Sequence, residues 1–365
     1  MINLQFFPSR RISLYMARLF VVRSFAVLFA LVIVLMTLDL LGNSGDILAH
    51  PGNGDAELWR YVALRVPQLV ARFLPFSVLL GTLITLVALN QHSEIITMKA
   101  AGISAHQIIA PLILAGFAIA AVNFLFNERF VTRANAVLSA WEAAEYGRLP
   151  EASDAQNDIR VQDGEDLIFV AQVRGSGDDV NLSGITLYDR EGGTMRRILD
   201  ARSGARSAAG WTLTGVRLFD VDTGRTERPA TVTLDDSLRP DQFTLAGVDA
   251  DEQSFWQLRG SIAALAAAAR PTGSLEAALW HKLSGPLSTV LMPLLAATAA
   301  FGLARSGQLF VRAIIGMSLG FAYFVADNFA LAMGDFGAYP PFLAAWGPFL
   351  LFLLIGEAVL IRTEE

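Results

Sequence analysis

Long apolar runs alternate with shorter polar segments along most of the chain. Six runs are long enough to cross a bilayer as helices, for which about 20 apolar residues are needed. They cover residues 25–41, 61–90, 108–126, 279–304, 313–333 and 342–361. Pro67 and Pro75 are expected to kink the second span. The pattern predicts a membrane α-helical protein with six transmembrane helices, three plus three around a central polar section.

The central polar section, residues 129–273, has the short runs and turns that are typical of β-strands. The runs are rich in β-branched and aromatic residues, and Gly, Asp, Asn and Ser separate them. They cover residues 167–171, 185–188, 211–219 and 231–234, and a helical stretch at 255–269 ends before Pro271. We expect an inserted all-β, jelly-roll-like domain between membrane segments at 1–128 and 274–365.

The composition supports a membrane protein and argues against several other classes. Hydrophobic residues make up 53% of the chain and the mean hydropathy is +0.46, far above values for soluble domains. The net charge is −6 and no basic stripe is present, so no nucleic-acid partner is expected. The chain has no cysteine, and its four histidines lack metal-ligand spacing. We therefore expect no disulfide, metal or cofactor.

The distribution of Lys and Arg predicts the orientation, because positively charged short loops stay in the cytoplasm. With the N-terminus inside, the cytoplasmic ends and loops hold Arg10, Arg11, Arg18, Arg23, Lys99, Arg305, Arg312 and Arg362. The opposite short loops hold only Arg60. Both termini are expected in the cytoplasm and the β domain on the far side. The first run could instead be a signal peptide, but its length and the poor cleavage site at residues 48–50 favour an uncleaved span.

A short segment of mixed polarity, about residues 91–106, separates the second and third spans. Its apolar residues share the segment with His92, Glu94 and Lys99, so a helix here would lie along the membrane surface with one face free. Gly102 suits the end of such a helix. The alternative interpretation is an ordinary solvated loop.

The sequence has none of the common catalytic motifs. It lacks a phosphate-binding GxxxxGK[ST] loop, a GxSxG elbow and an HExxH helix, so we expect a non-catalytic chain. The segment at Glu94 is interpreted as a cytoplasmic helix that receives force.

Ionisable residues in the spans are candidates for function, because charge in hydrocarbon is costly. Asp39 lies near the end of span 1, Asp327 within span 5 and Glu357 near the cytoplasmic end of span 6. Asp39 or Asp327 could carry protons in an ion-coupled secondary transporter. A packing partner for a neighbour such as Asn328, or for another subunit, is an equally good interpretation of Asp327.

Arginines recur where spans 2 and 3 meet the outer leaflet. Arg65, Arg72 and Arg133 could bind the phosphates of an amphipathic ligand, because guanidinium pairs with phosphate through two hydrogen bonds. Ordinary interfacial anchoring is the alternative. The Trp280-His281-Lys282 sequence is also interpreted as an interfacial anchor.

Four stretches resemble the lipopolysaccharide export permeases of the LptF/LptG family. Residues 93–104, SEIITMKAAGIS, are similar to the family's coupling segment. Residues 280–288, WHKLSGPLS, residues 320–327, GFAYFVAD, and residues 337–348, GAYPPFLAAWGP, are similar to its fourth, fifth and sixth helix regions, in order. The resemblance covers nearly the whole chain and is greater to the LptG branch.

The resemblance implies an architecture and a set of partners. The chain would pair with an LptF-type subunit on a dimer of an LptB-type ATPase, in the bacterial inner membrane. Ser93, Glu94, Lys99 and Gly102 would belong to the ATPase-coupling segment, with Glu94 in contact with the ATPase. An LptC-type membrane-anchored protein would receive lipopolysaccharide through a periplasmic β bridge.

One departure from the family concerns the lipid. Some relatives carry lysines in the first helix and after the first proline of the second, whereas this chain has Asn43 nearby and Gln68 after Pro67. The family's lipid-phosphate contacts therefore do not transfer directly. Arg65, Arg72 and Arg133 take their place as predicted lipid-binding residues.

A membrane-anchored adaptor with a protein-binding β domain is a further alternative for the function of the chain. That alternative leaves the coupling segment unexplained.

Overall fold

The computed structural model describes residues 7–147, 156–163, 166–174, 180–191, 193–207, 210–221, 223–234, 248–267, 270–302 and 309–364. The chain divides into two compact units. The first comprises Met1–Leu138, Ala250–Ile262 and Pro271–Glu365, and the second comprises Ser139–Asp249 and Ala263–Arg270. The first is helical, and the second is built mainly from β-strands.

Nine α-helices are found within the described ranges. They are α1 (Arg10–Ala49), α2 (Asp55–Gln91), α3 (Glu94–Ala100), α4 (Ala105–Phe126), α5 (Thr132–Ala143), α6 (Phe255–Ala267), α7 (Gly273–Gly302), α8 (Leu309–Asp335) and α9 (Pro341–Glu364). By length and hydropathy, the candidate membrane spans are α1, α2, α4 with its extension to Ala143, α7, α8 and α9. The predicted three-plus-three arrangement around a β insertion is confirmed.

The first helix is longer than the apolar run that predicted it. α1 has 40 residues, and the hydroxyl of Ser9 caps its start by accepting the backbone N–H of Ile12 at 3.5 Å. A stripe of residues buried at every fourth position continues beyond the apolar run, and its members are Met16, Phe20, Ser24, Leu28, Val32 and Met36. The polar connection predicted at 43–60 is therefore reduced to residues 50–54, since helix occupies both flanks.

α1 packs closely on α2 through a small residue. A Cβ atom added at Gly81 of α2 would overlap the hydroxyl oxygen of Ser24 and lie 2.6 Å from its Cα. Only glycine permits this approach of the two helices. α2 itself continues through Pro67 and Pro75 as one helix, and the predicted kinks stay a prediction.

Helical structure continues past the predicted end of span 3. A π-helix, Asn127–Val131, joins α4 to α5, so the first part of residues 129–273 is helical rather than β. Val131, Ala134 and Leu138 are buried at helical spacing, and this period was present in the sequence. This helical period was overlooked because the rest of the section is rich in turn residues.

The second unit contains one antiparallel sheet, as predicted for the insertion. Its described strands are β1 (Gln156–Asp163), β2 (Asp166–Arg174), β3 (Asn181–Glu191), β4 (Thr194–Ser207), β5 (Gly210–Thr214), β6 (Arg217–Asp220), β7 (Thr226–Glu227) and β8 (Thr231–Leu234). The order is β1-β2-β3-β4-β5-β8, and β6 pairs with β4 and β7. The run predicted at 211–219 is two strands, because Gly215 between them has φ +66°.

The core of the sheet follows the period of two expected for strands. Ile168 and Val170 of β2 and Ile185 and Leu187 of β3 are buried on one face, together with Trp211 of β5. β3 pairs with one edge of β4, and on the other edge β5 pairs with residues 203–207 and β6 with residues 197–200. The sheet therefore branches along β4.

Candidate functional site

Two backbone turns isolate α3 between the long helices α2 and α4. Ser93, which precedes α3, has φ 60° and ψ 12°, and Gly102, which follows it, has φ +86°. Left-handed residues stop a helix on each side, and Gly102 donates its N–H to the carbonyl of Lys99 at 3.0 Å. The predicted segment of about 91–106 thus contains a helix of seven residues, Glu94–Ala100.

A capping box fixes the start of the next helix. The hydroxyl of Ser104 accepts the N–H of Gln107 at 3.2 Å, and the Gln107 side chain accepts the N–H of Ser104 at 3.0 Å. α4 therefore begins at Ala105 and remains distinct from α3.

The side chains of α3 divide into an anchor and an exposed face. Ile95 is buried against the helical unit, with 5% of its surface exposed, whereas Ile96 is 61% exposed. Thr97 and Lys99 are exposed, and Glu94 is partly buried. An apolar anchor with a mixed exposed face is suited to docking another protein.

Glu94 is also bound within the chain. The phenol of Tyr15 in α1 donates a hydrogen bond to Oε1 of Glu94 at 3.3 Å. The second carboxylate oxygen of Glu94, Oε2, is not involved in that bond. Glu94 therefore joins α3 to the first helix, a contact that the sequence did not indicate.

A second contact joins the start of α4 to the last helix. Nε2 of His106 lies 3.5 Å from Oε2 of Glu357, and both side chains are about two-fifths exposed. Glu357 was interpreted from the sequence as a carboxylate within a span, and the structure pairs it with this histidine.

Arg65, a predicted lipid-binding residue, is paired with Asp39. Its Nη2 lies 3.1 Å from Oδ1 of Asp39, and Tyr61 donates a hydrogen bond to Oδ2 of the same carboxylate at 2.7 Å. Arg65 also donates to the Gln68 side-chain oxygen. This network links α1 to α2, and the Arg65 side chain is 28% exposed.

The other two predicted lipid-binding arginines have different surroundings. Arg72 is exposed and lines a cavity of about 530 Å³ in the helical unit, formed by residues of α2, α4, α5, α7 and α8. Arg133 is exposed on α5, and neither it nor Arg65 is among the residues that line this cavity. The structure does not bring the three arginines together in one site.

The cavity contains a histidine–aspartate pair that the sequence did not predict. Nε2 of His281 in α7 lies 3.1 Å from Oδ2 of Asp327 in α8, and Asp327 is only 8% exposed. The sequence suggested Asn328 as a partner for Asp327, but its amide donates to the carbonyl of Phe324. Trp280 is exposed and packs edge-on against Phe342, as an aromatic anchor does.

Among the described residues, no group of three or more His, Cys, Asp or Glu side chains is arranged to hold a metal ion.

The comparison with known proteins covers almost the entire chain. Residues 14–362 match the family described as lipopolysaccharide export system permease LptF/LptG. The permease protein LptG of Escherichia coli K12 is 26% identical over 347 residues, covering 90% of this chain and 94% of that protein. LptG of Haemophilus influenzae Rd is 25% identical over 355 residues, covering 93% and 96%. The chain belongs to the LptF/LptG family of lipopolysaccharide export system permeases.

Proposed function

We propose that this chain is the LptG-type permease subunit of an ABC transporter. It extracts lipopolysaccharide from the outer leaflet of the bacterial inner membrane and delivers it to a periplasmic β bridge. Residues 1–128 and 274–365 form the membrane part, both termini lie in the cytoplasm, and the β domain at 129–273 lies in the periplasm. The observation that supports this proposal most directly is α3, a short helix that lies between two left-handed residues and has an exposed face.

The isolation of α3 explains how it would transmit force. Residues 92–93 and 101–104 are short connections, so a displacement of α3 pulls directly on α2 and α4. Ile95 fixes the helix to the helical unit, and we assign the exposed side chains of Ile96, Thr97 and Lys99 to the contact with the partner. An LptB-type ATPase dimer that closes on this face moves the helix as a rigid element.

The burial of the spans supports particular helices as partner surfaces. In the apolar windows of α1 and α8, only 28% of residues are buried, compared with 56% for α2 and 78% for α7. α1 and α8 therefore present the largest uncovered apolar surfaces, which suit an LptF-type subunit and an inserted helix of an LptC-type protein as well as lipid.

The lipid itself requires an apolar surface and cations near the outer leaflet. We assign Arg65, Arg72 and Arg133 to its phosphates, with Arg72 the leading residue because it lines the cavity. Arg65 contributes less positive charge, because Asp39 neutralises it at 3.1 Å. β1 and β8 stand at the two ends of the described strand order, and we assign their outer edges to the next domain of the bridge.

The alternative of an ion-coupled secondary transporter gains less support. Asp39 is paired with Arg65 and Tyr61, and Asp327 with His281, so both carboxylates are held by partners in the chain. Such a transporter needs no ATPase. A non-catalytic subunit with an external ATPase accounts for α3, which the alternative leaves without a role.

The test is mass spectrometry of the complex extracted in detergent. The proposal expects a second permease chain, two copies of an ATPase, a membrane-anchored periplasmic protein and retained lipopolysaccharide. A chain with its β unit deleted serves as a control, because it should keep the ATPase. Recovery of the intact chain without any ATPase would favour the secondary transporter.

A further inference from the structure

Two polar contacts join α8 to α7 along one side of α7. Nε2 of His281 lies 3.1 Å from Oδ2 of Asp327, and the hydroxyl of Ser274 donates a hydrogen bond to Oδ1 of Asp335 at 2.8 Å. Ser274 and His281 are two helical turns apart in α7, so they lie on the same face of that helix. The two contacts therefore mark the line along which α7 and α8 meet.

Burial distinguishes the two contacts. Asp327 is only 8% exposed, whereas the contact between Ser274 and Asp335 is exposed. The remaining carboxylate oxygen of Asp327, Oδ1, has no hydrogen-bond partner within the described residues. The buried carboxylate therefore depends on His281, because a buried charge without a partner is costly. We infer that the buried pair contributes more to the position of α8 than the exposed contact does.

Glycines form the contact of α8 with α2. A Cβ atom added at Gly316 would lie 2.7 Å from a methyl carbon of Leu83, and one added at Gly320 would overlap the side chain of Leu79. These glycines let the two helices approach closely, but apolar contacts have no preferred direction. A hydrogen-bonded pair does, since its strength falls steeply with distance and angle. The position of α8 along its own axis is therefore set by its polar contacts with α7.

α8 is one of the two least covered spans of the helical unit. In its apolar window 28% of residues are buried, compared with 78% for α7. The pair of His281 and Asp327 thus joins a span with a large free apolar face to a span that is covered on most sides. A movement of α8 relative to α7 would disturb few other contacts within the chain.

We propose that His281 is a positioning residue for lipid transport. Through Asp327 it fixes α8 against α7 before ATP is hydrolysed. The pair then breaks as α8 shifts by about 1–5 Å, the range of helix shifts in switching proteins, and opens its free apolar face to the lipid. The inference rests on the proposed function, because ATP hydrolysis by the partner supplies the work for the shift. His281 acts on the helix and makes no contact with the lipid in this role.

The test measures the distance between spin labels on α4 and α8 by pulsed electron paramagnetic resonance, in the purified complex in nanodiscs. Val122 and Val325 are suitable positions, because both side chains are exposed. α4 serves as the reference because it packs closely on α7, where a Cβ atom added at Gly116 would lie 3.3 Å from the carbonyl oxygen of Thr289. The chain has no cysteine, so labels attach to it at the two introduced cysteines alone.

Two substitutions of His281 separate the contact from other effects of the residue. His281→Leu removes the hydrogen bond, so without nucleotide the label distance should shift toward that of the parent complex trapped with ATP and vanadate. Lipid released per ATP should fall about tenfold, as for the loss of a hydrogen bond to a charged group. His281→Gln keeps a nitrogen donor near the position of Nε2, and should retain the distance and the release of the parent.

A matched control removes the other contact between the same helices. Ser274→Ala deletes the exposed hydrogen bond to Asp335 and should change neither the label distance nor the release. An unchanged distance in His281→Leu overturns the proposal, and so does an equal shift in Ser274→Ala or in His281→Gln. Thermal unfolding identifies a variant that does not fold, and Asp327→Ser, which removes the same buried contact from α8, then replaces His281→Leu.

Failure of the proposed function gives a different result. ATP hydrolysis is measured on the same labelled complex. A complex without ATPase activity loses the proposed function, and the distances without nucleotide still decide whether His281 positions α8. A parent complex that hydrolyses ATP and releases lipid at a constant label distance keeps the proposed function and overturns the release of α8.

Discussion

The phenol of Tyr15 and the carboxylate of Glu94 lie 3.3 Å apart although 79 positions separate them in the chain. The bond joins the N-terminal part of α1 to the first residue of α3. α1 presents much of the uncovered apolar surface of the helical unit. The helix proposed to receive force is therefore tied to a helix proposed to face the partner subunit.

Replacing Tyr15 by Phe tests this tie. The change removes the hydroxyl alone, so the loss of about 1 kcal/mol of hydrogen bonding should reduce the coupling of ATP hydrolysis to lipid release by roughly fivefold. ATPase activity should persist, because the partner supplies it. The measurement is the number of lipopolysaccharide molecules released per ATP in proteoliposomes. Tyr339→Phe, at the turn before α9, is the control, and an equal loss in both variants would exclude a specific role for Tyr15.

The close approach of α1 and α2 predicts opposite effects of two glycine substitutions. Gly81→Ala places a Cβ within 2.6 Å of the Ser24 backbone, so it should destabilise the helical unit by about 1–3 kcal/mol. Gly45→Ala has no atom within 4 Å of its new Cβ and should stabilise α1 by up to about 1 kcal/mol. Thermal unfolding in detergent measures both. A Gly81→Ala protein as stable as the parent contradicts the packing described.

The Asp39–Arg65 pair predicts coupled substitutions. Arg65→Gln leaves the Asp39 carboxylate partly buried beside Tyr61 alone, and should cost about 3 kcal/mol of stability. Asp39→Asn together with Arg65→Gln should recover part of that loss, because no unpaired charge remains. A double-mutant cycle on thermal unfolding gives the coupling energy. Additive losses would show that the two side chains act independently.

Photo-crosslinking separates the three predicted lipid-binding positions. A photoreactive residue at 72 should give the strongest adduct with lipopolysaccharide, because Arg72 lines the cavity, whereas positions 65 and 133 should give weaker adducts. A probe at position 362, in the last turn of α9, is the control. The absence of adducts from all three positions would reject the arginine assignment.

The membrane architecture could be predicted from the sequence because the hydropathy signal extends over whole helices. The six spans and the β insertion needed only apolar runs and turn residues. The ends of the helices were harder to predict from the sequence. The start of α1, for example, depends on the single capping residue Ser9 and on packing against α2. α5 was missed because its buried apolar residues, Ala134, Leu138 and Trp141, are few within a polar section.

The candidate site was only partly predictable, for a related reason. The position of α3 followed from mixed polarity between two spans, and its exact bounds depend on the left-handed backbone of Ser93. The partners Tyr15 for Glu94, Arg65 for Asp39 and His281 for Asp327 are distant in sequence, and no local pattern identifies them. The sequence also suggests the Arg305–Arg312 loop as a second segment to share the motion, and residues 305–308 of it lie outside the described residues.

ATP-dependent lipid release by the Glu94→Lys variant tests the central claim most directly. The substitution reverses the charge on the exposed helix and breaks the bond to Tyr15. Reconstituted with its partners, the variant should insert normally and bind the lipid, but release less than a tenth of the lipopolysaccharide released by the parent chain, since about 1.4 kcal/mol of lost coupling is a tenfold effect. Glu227→Lys, the same charge change in the β unit, should release a normal amount. Release by Glu94→Lys equal to that of the parent would remove α3 from the mechanism.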